Sequence, residues 1–298
     1  MKLLPPKPRG LFNRYRKGMP LIEVFLKDVN YLWLWFVNFL KNGFKNKTIL
    51  VYPHYPSRGS TIYKTGKILH YNITNKPNKN FDFAVYWEYL TFRKEYHLLE
   101  DISKEKRVIN LYNRDISKQY VDQVHHNVFG YSTIIDPLKY NGKIVQKNNI
   151  NAYHDGKILQ APIKESKQGY IYQILIDNSY SNGLVVDIRV PVVGEILDFV
   201  YLKFRNISER FKNTTVKTTI EKAHIIFTPE EKELLNNFCK NLKLEYGELD
   251  VLRNKTDNKI YVVDVNNTPQ GPPANTSKQN ASFALKKIAD ALEKYSKI

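Results

Sequence analysis

The chain has 298 residues, of which 42% are apolar and 13% aromatic, and its formal net charge is +17. A chain of this length and composition can bury a large core, so global disorder is excluded, and its single cysteine, Cys239, excludes internal disulfides and zinc sites built from cysteines. The basic excess favours an anionic partner: a nucleotide, an acidic glycan or peptide, nucleic acid, or a membrane surface.

The first 48 residues are strongly basic and contain the most apolar stretch of the chain. They hold ten Lys or Arg and two acidic residues, and Leu21–Leu40 includes the segment YLWLWFV. Charges at Glu23, Lys27 and Asp28 interrupt this stretch, so we do not expect it to span a membrane. No secretory signal is indicated. We favour a helix that docks its aromatic stripe in the core; the alternative is a basic amphipathic helix on an anionic membrane surface.

Residues 49–115 combine short strand patterns with one helical pattern, which predicts a small α/β lobe. We expect Ser60–Tyr63 and Lys67–Tyr71 to pair as a hairpin around the turn signal at Thr65 and Gly66. Glu88–Ile102 has helical spacing. The predicted strands are Thr48–Tyr52, Ser60–Tyr63, Lys67–Tyr71, Phe81–Trp87 and Arg107–Leu111.

A helix is predicted over Asp115–Phe129, with Asp115 or Ser117 as its N-cap and Gly130 as its stop signal. Lys118 lies in its first turn. The N-terminus of a helix and an ammonium group can together bind phosphate, so this lysine is a candidate phosphate ligand.

A hairpin with a polar loop is predicted over Lys143–Gln160. Its first strand ends at Lys147, and Asp155 with Gly156 forms a strong turn signal before the return strand. The loop Asn148–Asp155 is expected to project from the sheet as a flap whose backbone N–H groups can contact an anion.

Three apolar strands are predicted next: Gly169–Ile176, Leu184–Val193 and Glu195–Tyr201. Asp187 and Arg189 share one face of the second strand, so they form a buried pair or face a cleft. The segment 203–213 is rich in cations and amides, which suits phosphate contact by Arg205 or Arg210.

A helix is predicted to start at Thr228, because Thr is a good N-cap and Pro229 suits the first helical position. It continues to about Leu242, and Cys239 is expected to pack inside it as a small residue. A second amphipathic helix is predicted at the C-terminus, over Ser282–Lys297.

The hairpin between these two helices carries several oxygen donors on one face. Its strands are Glu248–Leu252 and Lys259–Asn266. Asp264 and Asn266 point the same way because strand residues two apart share a face, and Asp250 on the paired strand can join them. Oxygen donors at one place suit Mg²⁺ bound together with nucleotide phosphates; a solvated hairpin face is the alternative.

From about Arg107 to Ile298, the order of these pieces resembles the ATP-grasp superfamily. The matching pieces are Ser117 and Lys118 at a helix start, Lys147 at a strand end, the strand Gln173–Ile176 followed by Asp177, the strand Asp187–Val190, Arg205 with Asn213, the helix and strand of Thr228–Leu252, and Asp264–Asn266 before Thr268 and Pro269.

This resemblance implies an α+β or α/β protein with the ATP-grasp fold, in which two α+β lobes clasp ATP after a small α/β N-terminal lobe. The implied divisions are a basic aromatic segment at 1–48, the small lobe at 49–115, a first ATP-grasp subdomain at 116–180 and a second at 181–298.

The resemblance also implies roles for individual residues. Asp264 stands where the family commonly has Glu, and Glu248 is a rival for the first metal ligand. The implied roles are phosphate contact for Lys118 and Lys147, adenine contact for Gln173, Leu175 and Ile176, ribose contact for Asp177, nucleotide contact for Asn213, γ-phosphate or acyl-phosphate contact for Arg205, binding of the acceptor carboxylate for Arg189, and one or two Mg²⁺ for Asp250, Asp264 and Asn266.

The activity implied by the resemblance is an ATP- and Mg²⁺-dependent ligase that activates a carboxylate as an acyl phosphate for attack by an amine. We expect a small-molecule, glycan or peptide carboxylate, a role in cell-surface glycan or peptide biosynthesis, and a cytoplasmic protein that contacts the inner membrane surface and forms homodimers. The alternatives are an ATP-grasp phosphotransferase and a non-enzymatic basic module for membrane or nucleic acid; nucleic acid is the less expected partner.

Overall fold

The computed structural model describes residues 20–41, 46–212 and 214–297. Helix α1 spans Leu21–Lys41 and precedes the first sheet. The expectation that its aromatic stripe docks in the core is wrong. Trp35 is buried, but most of the large apolar side chains described on this helix are exposed, including Leu21, Ile22, Phe25, Leu26 and Trp33.

The N-terminal lobe is a four-stranded parallel sheet in the order β2-β1-β3-β4. Three of the five predicted strands are present. The strand predicted over Thr48–Tyr52 extends one residue further, and those predicted over Phe81–Trp87 and Arg107–Leu111 are shorter than predicted. In chain order the elements of the lobe are β1 (Thr48–Pro53), α2 (Thr61–Ile68), β2 (Asn72–Thr74), β3 (Phe83–Trp87), α3 (His97–Ser103) and β4 (Val108–Ile109).

The predicted hairpin between Ser60 and Tyr71 is wrong, because this segment forms α2. The Ser60 hydroxyl caps the helix by accepting a hydrogen bond from Tyr63 N. Gly66, expected in a turn, lies inside the helix, where a Cβ atom would come within 2.9 Å of the Ile73 side chain. The glycine therefore permits close packing of α2 on β2.

The predicted helix over Glu88–Ile102 is mostly wrong, since only α3 at its end is helical. The preceding residues are held in an irregular path by Arg93, which is 6% exposed. Its guanidinium donates to Tyr86 O at 3.2 Å and to Asn267 O at 3.3 Å, so it joins this lobe to a distant segment.

The middle of the chain forms a small antiparallel sheet in the order β6-β5-β7. The predicted helix and hairpin are confirmed, with Ser117 as the N-cap and Gly130 in the left-handed conformation that ends the helix. The elements are α4 (Lys118–Phe129), β5 (Gly142–Asn148), β6 (Lys157–Ala161) and β7 (Tyr170–Ile174).

The C-terminal part contains the largest sheet, six-stranded, with the path β11-β10-β8-β12-β13 and β9 paired to β8; all of its pairings are antiparallel. The predicted hairpin and both predicted helices are confirmed. The elements are β8 (Leu184–Val193), β9 (Glu195–Ile196), β10 (Phe199–Asn206), β11 (Lys217–Lys222), α5 (Ala223–Ile226), α6 (Pro229–Leu242), β12 (Tyr246–Arg253), β13 (Ile260–Asn266) and α7 (Lys278–Tyr295).

Helices α4 and α6 cover one face of this sheet, and Cys239 is fully buried there, as predicted. The other face of the large sheet packs against the N-terminal lobe and α7, and these parts share one apolar core. That shared cluster includes Ile49, Val51, Ile62 and Trp87 of the lobe, Val193, Phe199, Tyr201 and Tyr246 of the sheet, and Ala284, Ile288 and Leu292 of α7. The N-terminal lobe and the large sheet are therefore one packed body.

Asn110 forms the polar joint between these two parts. Its side chain donates to Tyr246 O at 2.6 Å and accepts from Glu245 N at 2.8 Å and Tyr246 N at 2.9 Å. The residue is fully buried and has a left-handed φ of 63°. It therefore satisfies three backbone groups at the start of β12, in a conformation that Asn tolerates better than most residues.

We predict that Asn110→Ala lowers the free energy of unfolding by roughly 3–5 kcal/mol, because it leaves buried backbone groups unpaired. The matched control is Asn258→Ala, at an exposed turn residue with φ 57°, where only the left-handed conformation is penalised, by about 1 kcal/mol. Denaturant unfolding followed by tryptophan fluorescence measures both; equal losses would show that the buried contacts contribute nothing.

Candidate functional site

A cleft lies between the small sheet and the large sheet. Its wall includes the loop after β5 and the segment after β10. Basic side chains outnumber acidic ones, which gives the cleft a positive potential suited to a polyanion. The basic residues are Lys118, Lys147, Arg189, Lys203, Arg205 and Arg210, and the acidic residues are Asp155, Asp187, Asp250 and Asp264.

Six of the sequence-predicted site residues line this cleft: Lys118, Lys147, Arg189, Arg205, Asp250 and Asp264. Lys203 also lines it and was missed by the sequence analysis. It lies two residues before Arg205 on β10, so strand alternation could have placed it on the same face.

The charged strand residues pair across neighbouring strands. The Arg189 guanidinium donates to Asp250 through Nε at 2.9 Å and Nη2 at 3.1 Å, while Arg205 Nη1 lies 3.1 Å from Asp187 Oδ2. The sequence predicted that Asp187 and Arg189 either pair with each other or face a cleft, and both line the cleft. They do not pair with each other: the sheet register places Arg189 opposite Asp250, and directly opposite side chains are closer than those of residues two apart on one strand.

Burial alone would raise the pKa of Asp250. The Arg189 guanidinium and the Lys203 ammonium, whose Nζ lies 3.9 Å from Oδ1, more than offset burial and hold that pKa well below its usual range. Asp250 is therefore a fixed anion that neutralises part of the cleft's charge.

Glu248 lies next to this pair and is 3% exposed. Arg189 Nη1, the nitrogen that Asp250 does not use, is 3.4 Å from Glu248 Oε2. Within the described residues neither carboxylate oxygen accepts a hydrogen bond. Burial raises the pKa of Glu248 to about 7, and Arg189 opposes that rise.

The three predicted metal ligands are neighbours across the β12–β13 pair. Asp250 is opposite Asp264, and Glu248 is opposite Asn266. Asp264 Oδ1 accepts from Val265 N at 3.0 Å, and Asn266 Oδ1 accepts from Thr268 N at 3.0 Å.

Among the described residues, no group of three or more His, Cys, Asp or Glu side chains is arranged to bind a metal by itself. Both Asp250 oxygens accept from Arg189, so Asp264 is the better-placed donor in the cleft lining. Asn266 is not among the lining residues, and its Oδ1 accepts from Thr268 N. Mg²⁺ is commonly held by one or two carboxylates together with substrate phosphates. The Asp264 carboxylate fits that mode.

Lys118 and the loop after β5 are joined by hydrogen bonds. Lys118 Nζ donates to Ile150 O at 3.1 Å and to Asn151 Oδ1 at 3.0 Å, while Asn149 accepts from the first backbone N–H groups of α4. Asn151 also donates to Val265 O at 3.1 Å. The predicted flap thus lines the cleft and is tied both to the helix end and to β13.

Lys147 reaches the same region from the end of β5. Burial lowers the pKa of its ammonium to about 8, and Asp264 opposes the change while Lys118 adds to it. Burial also raises the pKa of Asp264, while the positive charges of Lys118 and Lys147 lower it. These three groups therefore share one desolvated region of the cleft.

The predicted adenine segment lies beside the end of the cleft at Val263, and Gln173, Leu175, Ile176 and Asp177 are not among the residues that line the cleft. Ile176 packs with Tyr261 and Val263 in an apolar cluster, and Leu175 is half-buried. Gln173 is 3% exposed and donates to Thr133 Oγ1 at 2.6 Å, so its side-chain amide already has a hydrogen-bond partner within the protein.

The rim of this end is polar. Asp177 is exposed, and its Oδ1 accepts from Ser179 N at 3.0 Å. Arg210 Nη2 donates to Ile176 O at 3.0 Å and to Asn178 Oδ1 at 2.7 Å. Asn213, predicted to contact the nucleotide, lies outside the described residues.

Comparison with solved structures finds the same architecture in several proteins. The D-alanine–D-alanine ligase from Bacillus anthracis has a TM-score of 0.51 and 16% identity, covering 84% of this chain and 96% of that one. VanG D-Ala:D-Ser ligase from Enterococcus faecalis has a TM-score of 0.53 and 10% identity, covering 85% and 100%.

A third similar structure is the ATP-grasp ligase PsnB, in complex with a phosphomimetic variant of its minimal precursor, Mg and ADP. Its TM-score is 0.54 with 11% identity, covering 85% of this chain and 99% of that one. No protein-family model and no curated protein sequence matches the chain. The similarity to these structures is therefore one of fold.

Proposed function

Because the chain has the ATP-grasp fold, we propose that it is an ATP- and Mg²⁺-dependent ligase that joins a carboxylate to an amine. The observation that carries this proposal is the convergence of six cations with Asp264 in one cleft between the small and large sheets. Phosphoryl transfer needs positioning and neutralisation of charge more than a side-chain nucleophile.

The basic side chains divide between the two ends of a triphosphate. Lys118 and Lys147 would contact the α- and β-phosphate oxygens, and Arg205 would contact the γ-phosphate. Lys118 must then exchange its present bonds to the loop oxygens for phosphate oxygens. Bound Mg²⁺ would neutralise charge on the β- and γ-phosphates, held by Asp264 and Asn266 with Asp250 beside them.

The base and sugar would lie at the apolar end of the cleft. Ile176 and Val263 belong to one apolar cluster there, which gives adenine a surface to pack on. Leu175 and Gln173 belong to the same segment, whose backbone would contact the base, and the exposed Asp177 is placed for the ribose hydroxyls.

The reaction we propose has two transfers. A carboxylate oxygen attacks the γ-phosphorus and ADP leaves, which forms an acyl phosphate. The amine loses a proton, its nitrogen lone pair attacks the carbonyl carbon, and inorganic phosphate leaves while a second N–H proton is released and the amide forms. The Nη1 group of Arg189, which Asp250 does not use, would hold the carboxylate.

We predict that millimolar ATP with Mg²⁺ raises the melting temperature by about 5 °C, the shift expected for a site nearly saturated with ligand. Asp264→Ala should abolish most of this shift. The matched control is Asp198→Ala, which removes a carboxylate from an exposed pair with Lys287 and should keep it. No shift in the wild type would remove the proposed nucleotide site.

A phosphotransferase is the alternative from the same fold, and trapping of the acyl phosphate separates the two. With ATP, Mg²⁺, hydroxylamine and a panel of carboxylates, a ligase forms a hydroxamate and releases ADP, and Asp264→Ala should form none. A kinase leaves a stable phosphate on one acceptor and forms no hydroxamate. A non-enzymatic basic module would bind anions with steep salt dependence and no need for ATP.

We further propose that the protein works at a cytoplasmic membrane surface, on a small-molecule, glycan or peptide carboxylate. Helix α1 exposes Phe25 and Trp33 by 65% and 63%, within a segment of residues 1–48 that has ten basic and two acidic residues. Apolar side chains beside Lys and Arg suit an anionic bilayer surface. Within the described residues, no helix has the length and apolarity needed to cross a membrane.

We predict that the protein co-sediments with vesicles containing phosphatidylglycerol and much less with pure phosphatidylcholine. The double variant Phe25→Glu, Trp33→Glu should weaken binding roughly tenfold or more, because it removes buried apolar area and adds like charge to the anionic surface. Ile225→Glu, at a residue equally exposed elsewhere, is the control. Equal binding by all three proteins would rule out α1 as the contact.

A further inference from the structure

One face of β12 runs from the core shared with the N-terminal lobe into the cleft. Tyr246 packs in that core, Asp250 and Leu252 line the cleft, and Glu248 lies between Tyr246 and Asp250 along the strand. Residues two apart on a strand are about 6.6 Å apart. Glu248 is therefore one step from the cleft-lining Asp250, on the side toward the N-terminal lobe.

Glu248 and the nearby Thr61 hydroxyl are buried without hydrogen-bond partners. Within the described residues, both carboxylate oxygens of Glu248 and Thr61 Oγ1 lack partners. A Cβ atom on Gly271 would lie 3.1 Å from Thr61 Oγ1 and 3.6 Å from Glu248 Oε1. The glycine therefore keeps one small space clear between these two oxygens.

An ion pair with Arg189 alone does not explain why the Glu248 carboxylate is buried at this position. Asp250 already accepts two hydrogen bonds from the Arg189 guanidinium, and Glu248 faces the remaining nitrogen at the longer distance of 3.4 Å. A buried carboxylate without hydrogen bonds is costly. Its presence beside a proposed active site, with both oxygens unpartnered within the described residues, points to a ligand that supplies hydrogen-bond donors.

We propose that Glu248 and Thr61 form the subsite for the amine substrate, next to the carboxylate held by Arg189. This inference rests on the proposed ligase function. A primary ammonium group has three N–H donors and no acceptor, which matches the unpartnered oxygens. The subsite selects amines whose reacting end carries a positive charge before reaction, over uncharged amides and alcohols.

The amine approaches from the cleft, because the opposite side of Glu248 is covered. The segment 269–271 is fastened to the N-terminal lobe there: Thr61 N donates to Pro269 O at 2.9 Å, Lys64 Nζ donates to Gly271 O at 2.5 Å, and Ser57 Oγ donates to Gln270 Oε1 at 2.9 Å. The nucleophile thus lies on the far side of the acyl phosphate from ADP.

The test measures binding of ethylamine and glycinamide, with acetamide as the uncharged probe, to the full chain with ADP and Mg²⁺ by saturation-transfer NMR titration. The amines should bind the wild type and acetamide should not. Glu248→Gln keeps the side-chain shape and removes the charge, and it should raise the apparent dissociation constant of the amines roughly 10- to 100-fold. Thr61→Val should have a smaller effect in the same direction.

Two controls separate this subsite from a structural role of Glu248. Glu195→Gln, at an exposed residue of the same sheet, should bind the amines like the wild type, and Glu248→Gln should keep the melting-temperature shift caused by ATP and Mg²⁺. Equal amine binding by the wild type and Glu248→Gln, no amine binding by the wild type, or loss of the ATP shift in Glu248→Gln would each overturn the proposal. Failure of ATP to stabilise the wild type would instead overturn the proposed function.

Discussion

The bidentate contact between Arg189 and Asp250 is the interaction on which the cleft depends. Six cations gathered in one desolvated place repel one another, and burying them without partners is costly. The neighbouring strands β8, β12 and β13 supply the compensating carboxylates Asp187, Asp250 and Asp264, each placed by the sheet register rather than by sequence proximity. A slip of one residue would turn Asp250 toward the core beside Leu249. The register that pairs the strands is therefore also the one that places the opposite charges side by side.

The floor of the cleft is rigid because it continues into the N-terminal lobe. Trp87 and Tyr246 belong to one apolar cluster, Asn110 satisfies the backbone at the start of β12, and Arg93 binds the backbone of Asn267 from the lobe side. The lobe therefore holds β12 and the end of β13 in place, which is where the proposed metal ligands and Glu248 lie.

Much of the ATP-grasp part was predictable because its signals are local. Ser117, Gly130 and Thr228 are helix caps that act through neighbouring backbone groups. Strand alternation predicted that Asp250 and Asp264 share one face, and Lys147 was identified as the end of a predicted strand. The failures needed tertiary information. Gly66 resembles a turn residue until its contact with Ile73 is known, and the exposure of α1 depends on which of its side chains the other described residues cover.

Which residue pairs with which was also hidden from the sequence. Arg189 shares a strand face with Asp187, yet its partner comes from a strand about 60 residues later, and the shift of register after Asp250 cannot be inferred from composition. Lys203 could have been found by alternation alone. The lack of hydrogen bonds to Glu248 is a property of its packing and has no signature in the chain.

The small sheet has a separate apolar cluster, built from Ile144, Ala161 and Tyr172 with partly buried neighbours, and all of its members lie within residues 135–172. It can therefore tilt or open without exposing the core that the lobe and the large sheet share. Its amide protons should exchange with solvent as their own cooperative unit, at a lower opening free energy than those of β8 or β12. A single unfolding free energy for the chain would average two bodies of different stability.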